Sequence, residues 1–274
     1  MASPFDRGYV DEPFASLVAE CPGAETYPPA DFRIEWGPIF HRGRLDGSAR
    51  VVVIGQDPGA HEAIVRRILV GEAGQRLQGF LARLGIARSY TLINAFAYSV
   101  YGQFGGERHR DDPAIAAYRN RWLDALLVGT GVQAVIALGS LADSAFTAWQ
   151  ATPSGAASGL SCRRILHPTY PEGASRGGKV TRKAAMSQML TDWNLALDEL
   201  RPRITSPDAP QRTDHYGDAL LPADRAPISA EDLPAGLPAW MRSLDAWASR
   251  EGATPEDKRA TLVVQVPRRQ RPWT

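Results

Sequence analysis

Arg50-Val51-Val52-Val53-Ile54-Gly55-Gln56-Asp57-Pro58-Gly59 is the stretch on which the reading of this chain turns. A run of β-branched residues stops at a glycine, the pattern of a short buried strand. Two glycines and a proline around one carboxylate then specify a rigid turn. The same grammar recurs downstream. Leu77, Phe80, Leu81 and Leu84 fall at helical spacing before Gly85. Thr91 to Asn94 reads as a second strand. Asp112-Pro113 starts a helix with a cap and a first-turn proline, continuing through Ile115, Tyr118, Trp122, Leu123, Leu126 and Leu127. A third strand at 132–138 ends in Gly139-Ser140, and a helix through Phe146 and Trp149 comes next. A fourth strand is expected at 162–166, then a long helix at 179–200 with the stripe Met186, Leu190, Trp193, Leu197 and Leu200.

Strands alternating with helices predict a three-layer α/β/α sandwich around a central, mostly parallel four-stranded sheet. In such sheets ligands bind beyond the carboxyl ends of the strands, which directs attention to 55–59, 94–99 and 167–171. Residues 1–200 are expected to form this domain. Residues 201–274 are expected as an appendage packed on the core or linked to it. Its 201–238 stretch holds seven prolines and little periodicity; a short helix near 240–248 and a strand at 261–266 come after it.

Composition narrows the function classes. The 274 residues are 44% hydrophobic and 22% charged, ordinary for a packed protein, and the net charge of +1 leaves a local basic face open. Two cysteines, Cys21 and Cys162, are too few for a four-cysteine zinc site or an iron–sulfur cluster. Neither a membrane-length apolar run nor a signal-peptide pattern is present, so a cytoplasmic monomer without metal or cofactor is the expectation.

Each strand-end motif carries chemistry and also a plainer reading. Gly55, Gln56, Asp57, Pro58 and Gly59 place a carboxylate and approachable backbone amides at the sheet mouth; Asp57 reads equally as a helix cap. Asn94 offers both an acceptor and a donor, suited to a base edge, or simply forms a turn. Arg163-Arg164-Ile165-Leu166-His167-Pro168-Thr169-Tyr170-Pro171 leads into a glycine-rich loop, with six Arg/Lys and one acid between Arg163 and Lys183. That loop suits phosphate contact, or is a solvated charged loop.

Taken together, these motifs resemble the uracil-DNA glycosylase superfamily. Gly55-Gln56-Asp57-Pro58-Gly59 is similar to its GQDP or GxxPG turn, His167-Pro168-Thr169 to its HP[ST] loop, and Leu69-Val70-Gly71-Glu72-Ala73-Gly74-Gln75 to its FVGxAG segment. Val135-Ile136-Ala137-Leu138-Gly139 is similar to its ALG strand end. The resemblance covers about 35–200. It implies a monofunctional enzyme that flips uracil out of DNA and hydrolyses its glycosidic bond. Asp57 would stabilise charge on the sugar and activate water, and His167 would donate to a uracil oxygen. Asn94 would read the imide edge, beside Gly55, Gln56, Pro58 and Gly59. Leu69 takes the place of the stacking ring; Phe96, Tyr98 or Tyr101 is the substitute. Arg163, Arg164, Thr169, Tyr170, Arg176 and Lys179 would face DNA.

The chain also departs from the pattern. Gly59 and Ala60 replace the Tyr and His that come after GQDP in one branch, where the Tyr excludes thymine's methyl group. The wedge leucine of the last loop is replaced by Tyr170, Pro171 and a longer loop with Arg176. His61 and Glu62 either line the pocket or serve the next helix, and Trp36 is either near the site or core. The competing functions are action on another deaminated or mismatched base, a base-binding protein without turnover, and a generic nucleotide-binding α/β protein.

Overall fold

A computed structural model describes residues 8–271. In chain order the elements are α1 (Phe14–Ala19), β1 (His41–Gly43), β2 (Val51–Gly55), α2 (Ala60–Val65), α3 (Glu72–Arg83), β3 (Tyr90–Asn94), α4 (Gly102–Arg108), α5 (Pro113–Leu127) and β4 (Ala134–Leu138). After these come α6 (Ser140–Gln150), α7 (Pro153–Ser158), β5 (Cys162–Ile165), α8 (Tyr170–Ala174), α9 (Arg182–Leu200), β6 (Ala248–Ser249), α10 (Pro255–Ala260) and β7 (Val263–Val264).

The central sheet has five strands, in the order β1-β3-β2-β4-β5, rather than four. β2, β3, β4 and β5 are mutually parallel, and β1 is an antiparallel edge pairing His41 with Ile93. Three residues containing Arg and Gly carry no legible period, so β1 exists only because β3 offers it an edge. Alternation along β2 explains the layers. Val51 and Val53 pack with Leu77, Phe80 and Trp193 on one face; Val52 and Ile54 pack with Trp122, Phe146 and Trp149 on the other. Both faces are therefore dry, as a β-branched run requires.

Helix ends obey their caps. Asp112 accepts the amides of Ala114 and Ile115 at the start of α5. Thr181 accepts the Ala184 amide, so α9 begins at Arg182 rather than at 179. The loops after β2 and β4 leave toward opposite faces of the sheet, to α2–α3 and to α6. A crevice therefore opens between these two neighbouring strands at their carboxyl ends.

Residues 201–249 run over α3 and are fastened by carboxylates, of which Asp224 and Asp232 are buried and Asp208 is exposed. Arg42 of β1 and the Tyr90 hydroxyl both donate to Asp232, which has no exposed surface. Arg83 donates to Asp224 at 2.5 Å, and the Asp208 carboxylate accepts the amides of Ala87, Arg88 and Ser89 at 2.6–2.7 Å. Gly79 makes the close crossing possible: a Cβ there would lie 1.9 Å from the Asp224 carbonyl oxygen.

Two expectations for this segment do not hold. Residues 240–248 form a 3-10 turn (Ala239–Arg242) and then enter β6, and the 261–266 strand shrinks to the two residues of β7. The amides of Trp247 and Ala248 point to Nε2 of His61, at 3.4 and 3.3 Å, and so are not available to a helix. No helix among the described residues is long and apolar enough to cross a membrane.

Candidate active site

The parallel ladder sets the geometry. Gly55 pairs with Asn94 at the ends of β2 and β3, so the side chain of Asn94 stands beside the start of the Gln56–Gly59 turn. A Cβ on Gly55 would sit 2.3 Å from Oδ1 of Asn94, so only glycine leaves that amide where it is. The Gly55 and Gln56 carbonyls accept the amides of Ala95 and Phe96 at 2.9 and 3.0 Å, locking the two strand ends together. The amides of Gln56 and Asp57 donate to nothing among the described residues and remain available to a ligand.

Asp57 is not a helix cap. Gly59 occupies the cap position of α2 without a side-chain bond, while Oδ2 of Asp57 accepts the Val100 amide at 2.9 Å. Burial pushes the Asp57 carboxyl up to about 6, against the Val100 amide, the Arg250 charge and Gln56, all of which favour the anion; nearby Glu62 adds to the rise. The residue as a whole keeps some exposed surface.

His167 lies just past β5, two strands from β2, so the strand ends that carry the two groups stand about 10 Å apart. Nδ1 of His167 accepts the Thr169 amide at 3.2 Å and lies 2.9 Å from the Thr169 hydroxyl. An amide can only donate, so the ring proton belongs on Nε2. Burial, reinforced by the Arg76 guanidinium and opposed by Glu172, pulls the imidazole down to about 4. The ring is a neutral hydrogen-bond donor across the physiological range.

Arg76 carries no motif signal and is the part of this site that sequence reasoning missed. It is 2% exposed and reaches from α3 to the His-Pro loop. Its Nη1 donates to the Pro168 carbonyl at 2.5 Å and to Glu172 at 3.1 Å, and its Nη2 donates to Glu172 and Glu72 at 2.9 and 2.5 Å. Burial would raise the Glu172 carboxyl, but Arg76 and Arg182 override it and hold it down at about 2. An arginine one helical turn past Glu72 on a helix is an ordinary i,i+4 pair in sequence; its second partner is visible only in three dimensions.

The remaining candidates separate. Leu69 is 7% exposed, takes a left-handed φ of 52°, and packs into the core beside Ile68 and Leu77 rather than standing open to the cleft. Its carbonyl lies where a Cβ of Gly74 would be, which accounts for that glycine. Phe96 and Tyr98 are buried as well, at 0% and 5%, whereas Tyr101 keeps exposed surface. Arg163 is paired with Asp192 and Glu199 at 3.1 and 3.0 Å, and both Arg163 and Arg164 lie in β5 behind the His-Pro loop. The Tyr170 hydroxyl donates to Gln188, and Thr169 serves His167. Arg176 and Lys179 sit in the loop between α8 and α9, both exposed. His61 holds the C-terminal segment, meeting the Trp247 ring edge-on at 4.7 Å. Glu62 accepts the Val70 amide at 3.2 Å. Trp36 lies under Arg33 rather than in the core. No group of three or more His, Cys, Asp or Glu among the described residues could hold a metal ion.

The family profile described as the Uracil DNA glycosylase superfamily matches residues 42–194, from β1 to α9, the span that holds all three strand-end motifs. The chain belongs to the uracil-DNA glycosylase superfamily. No curated protein sequence matches it. Its general role is therefore that of a DNA glycosylase in base-excision repair. Membership also makes sense of the superfamily's strand-end motifs: the sheet brings to one edge residues spaced far apart in sequence. The C-terminal segment after α9 lies outside the family match.

Proposed function

We propose that the protein removes uracil from DNA by hydrolysing its N-glycosidic bond and acts without a covalent intermediate. What supports this reading is a buried carboxylate after β2 and, after β5 at the same edge of the sheet, a neutral imidazole whose proton is on Nε2. The flipped uracil lies between them, and the Asn94 amide, held in place by Gly55, pairs with its imide edge. As the bond from C1′ of the sugar to N1 of uracil breaks, the sugar gains positive charge and the base leaves as an anion. Ionised Asp57 faces the first. Nε2–H of His167 donates to a carbonyl oxygen of the second. Water bonds to C1′, giving up its proton toward Asp57. The free amides of Gln56 and Asp57 are donors for the other uracil oxygen. No lysine lies in the three motifs to form a Schiff base.

A second reading, action on a mismatched thymine or another deaminated base, is favoured by Gly59. No ring projects there to exclude a methyl group; the nearest side chain is Glu62, whose Oε2 lies 2.7 Å from a Cβ built at Gly59.

The test uses labelled oligonucleotides carrying one uracil, one T·G mismatch or one deaminated purine, treated with alkali after incubation. Cleavage at uracil alone is expected. Cleavage only at another lesion favours the second reading, and binding of the uracil strand without cleavage overturns both.

A further inference from the structure

The segment after α9 has no place in the family match, yet it reaches the rim of the candidate site. The 31–33 backbone pairs with 99–101: the Arg33 amide donates to Ser99 at 2.8 Å and the Tyr101 amide to Asp31 at 2.8 Å. Between them, the Val100 amide is the one bound by Asp57. Arg33 is 1% exposed and ties down the far end of α10, donating to the carbonyls of Arg259 and Lys258 at 2.6 and 3.3 Å. Its guanidinium lies 4.2 Å from the Trp36 ring centre and 4.4 Å from that of Tyr101. Arg259 lies over the same Tyr101 ring at 4.7 Å. Arg250 acts electrostatically on both Arg33 and Asp57.

Two guanidiniums, Arg33 and Arg259, therefore share the Tyr101 ring, and Arg250, one residue past β6, adds its charge to both Arg33 and Asp57. The neighbouring carboxylates are Glu35, 3.8 Å from Arg33 and 54% exposed, and Asp57, whose anion the Arg250 charge favours. Arg250 and Arg259 are exposed and make no ion pair among the described residues. Such a convergence is unfavourable in isolation and becomes favourable when an anion sits on it. A base flipped into the recess leaves its own phosphates at the rim.

We propose that Arg250 and Arg259, mounted on the C-terminal segment by Arg33, form a phosphodiester-binding site that holds the DNA backbone beside the flipped nucleotide. This inference rests on the functional reading above. The C-terminal segment thereby extends the DNA-binding face onto the side of the recess opposite the His-Pro loop.

The test is full-length protein against the double variant Arg250→Gln/Arg259→Gln, with Arg268→Gln/Arg269→Gln as a tail control. Binding to a fluorescent duplex carrying an abasic-site analogue is followed by anisotropy at several salt concentrations. Each lost phosphate contact lowers the slope of log K against log salt by about 0.9, so a drop of about 2 is expected for the double variant and none for the control. Thermal melts check that the variants fold alike. An unchanged slope in a folded double variant overturns this inference alone. Absence of DNA binding by the unaltered protein overturns the functional reading and this site with it.

Discussion

The Thr169 amide donates to Nδ1 of His167 across 3.2 Å, which puts the single imidazole proton on Nε2, at the same carboxyl edge of the sheet that carries Asp57. Two ionisable groups are thus displaced in opposite senses by the same dry surroundings. The carboxyl is raised to about 6 and the imidazole lowered to about 4. Burial penalises whichever form is charged, so the acid holds its proton longer and the base refuses one.

The rate should track the ionisation of Asp57. Turnover is expected to rise with pH through about 6 and then level off, with no second limb from His167 above pH 5. Asp57→Asn should lose about 10²–10⁴-fold in rate, with little change in binding of an abasic-site duplex. Single-turnover rates from pH 5 to 8 check both. A profile flat across pH 6 would remove Asp57 from the role assigned to it.

Stability should show the two groups pulling against each other. Between pH 3.8 and about 6 the native state keeps the Asp57 proton while the unfolded chain releases it, so this group lowers stability as pH rises. Between pH 6.5 and about 4 the unfolded chain takes up a proton that native His167 refuses, so this group lowers stability as pH falls. Each is worth up to about 3 kcal/mol. Asp57→Asn should therefore be about 1–3 kcal/mol more stable than the parent at pH 7, and the gain should vanish below pH 4. Urea denaturation at pH 4, 5.5 and 7 reads this directly, and a gain that persists at pH 4 would count against it.

Arg76 positions the His-Pro loop without touching substrate. Arg76→Met should cost about 2–4 kcal/mol, because Glu172 loses a buried partner and the Pro168 carbonyl its donor. The loss of the adjacent cation should also raise the His167 imidazole, visible as an upward shift of its NMR titration. A purely structural role would lower stability and leave that titration where it is.

Gly55→Ala should disturb Asn94 and spare Asp57. The new methyl would lie 2.3 Å from Oδ1 of Asn94, so the amide must move. A displacement of about 1 Å at a reading group costs roughly 10²-fold in kcat/KM. Binding of undamaged duplex should be unaffected. Unaltered kcat/KM on a uracil substrate would show that Asn94 does not read the base.

The C-terminal segment should prove necessary to stability through Asp232. Asp232→Ala leaves Arg42 charged and buried with Gln78, the Tyr90 hydroxyl and the Ile68 carbonyl as its remaining partners, none of them an anion, and should cost about 3–5 kcal/mol. The double change Arg42→Met/Asp232→Leu should recover most of it, since an apolar pair can replace a buried ion pair. Chemical denaturation of both variants distinguishes a buried charge effect from simple loss of packing.

The layered fold and the three strand-end motifs were legible along the chain. A β-branched run ending in glycine, a capped helix start and an apolar stripe are local signals, and Asp57, Asn94 and His167 each sit where such a run stops. Contacts between distant residues settled the rest. β1 has no period of its own and forms on the free edge of β3. Leu69 reads as a pocket residue but turns into the core, because Gly74 lets its carbonyl pack tightly. Arg163 reads as a phosphate contact but is held by Asp192 and Glu199. Arg76, silent in sequence, clamps the His-Pro loop 92 residues away at Pro168. The same reason runs through all four. Burial, ion pairing and the direction of a hydrogen bond depend on which residues meet, and for these positions the partners lie tens of residues or more apart along the chain or arrive on another element.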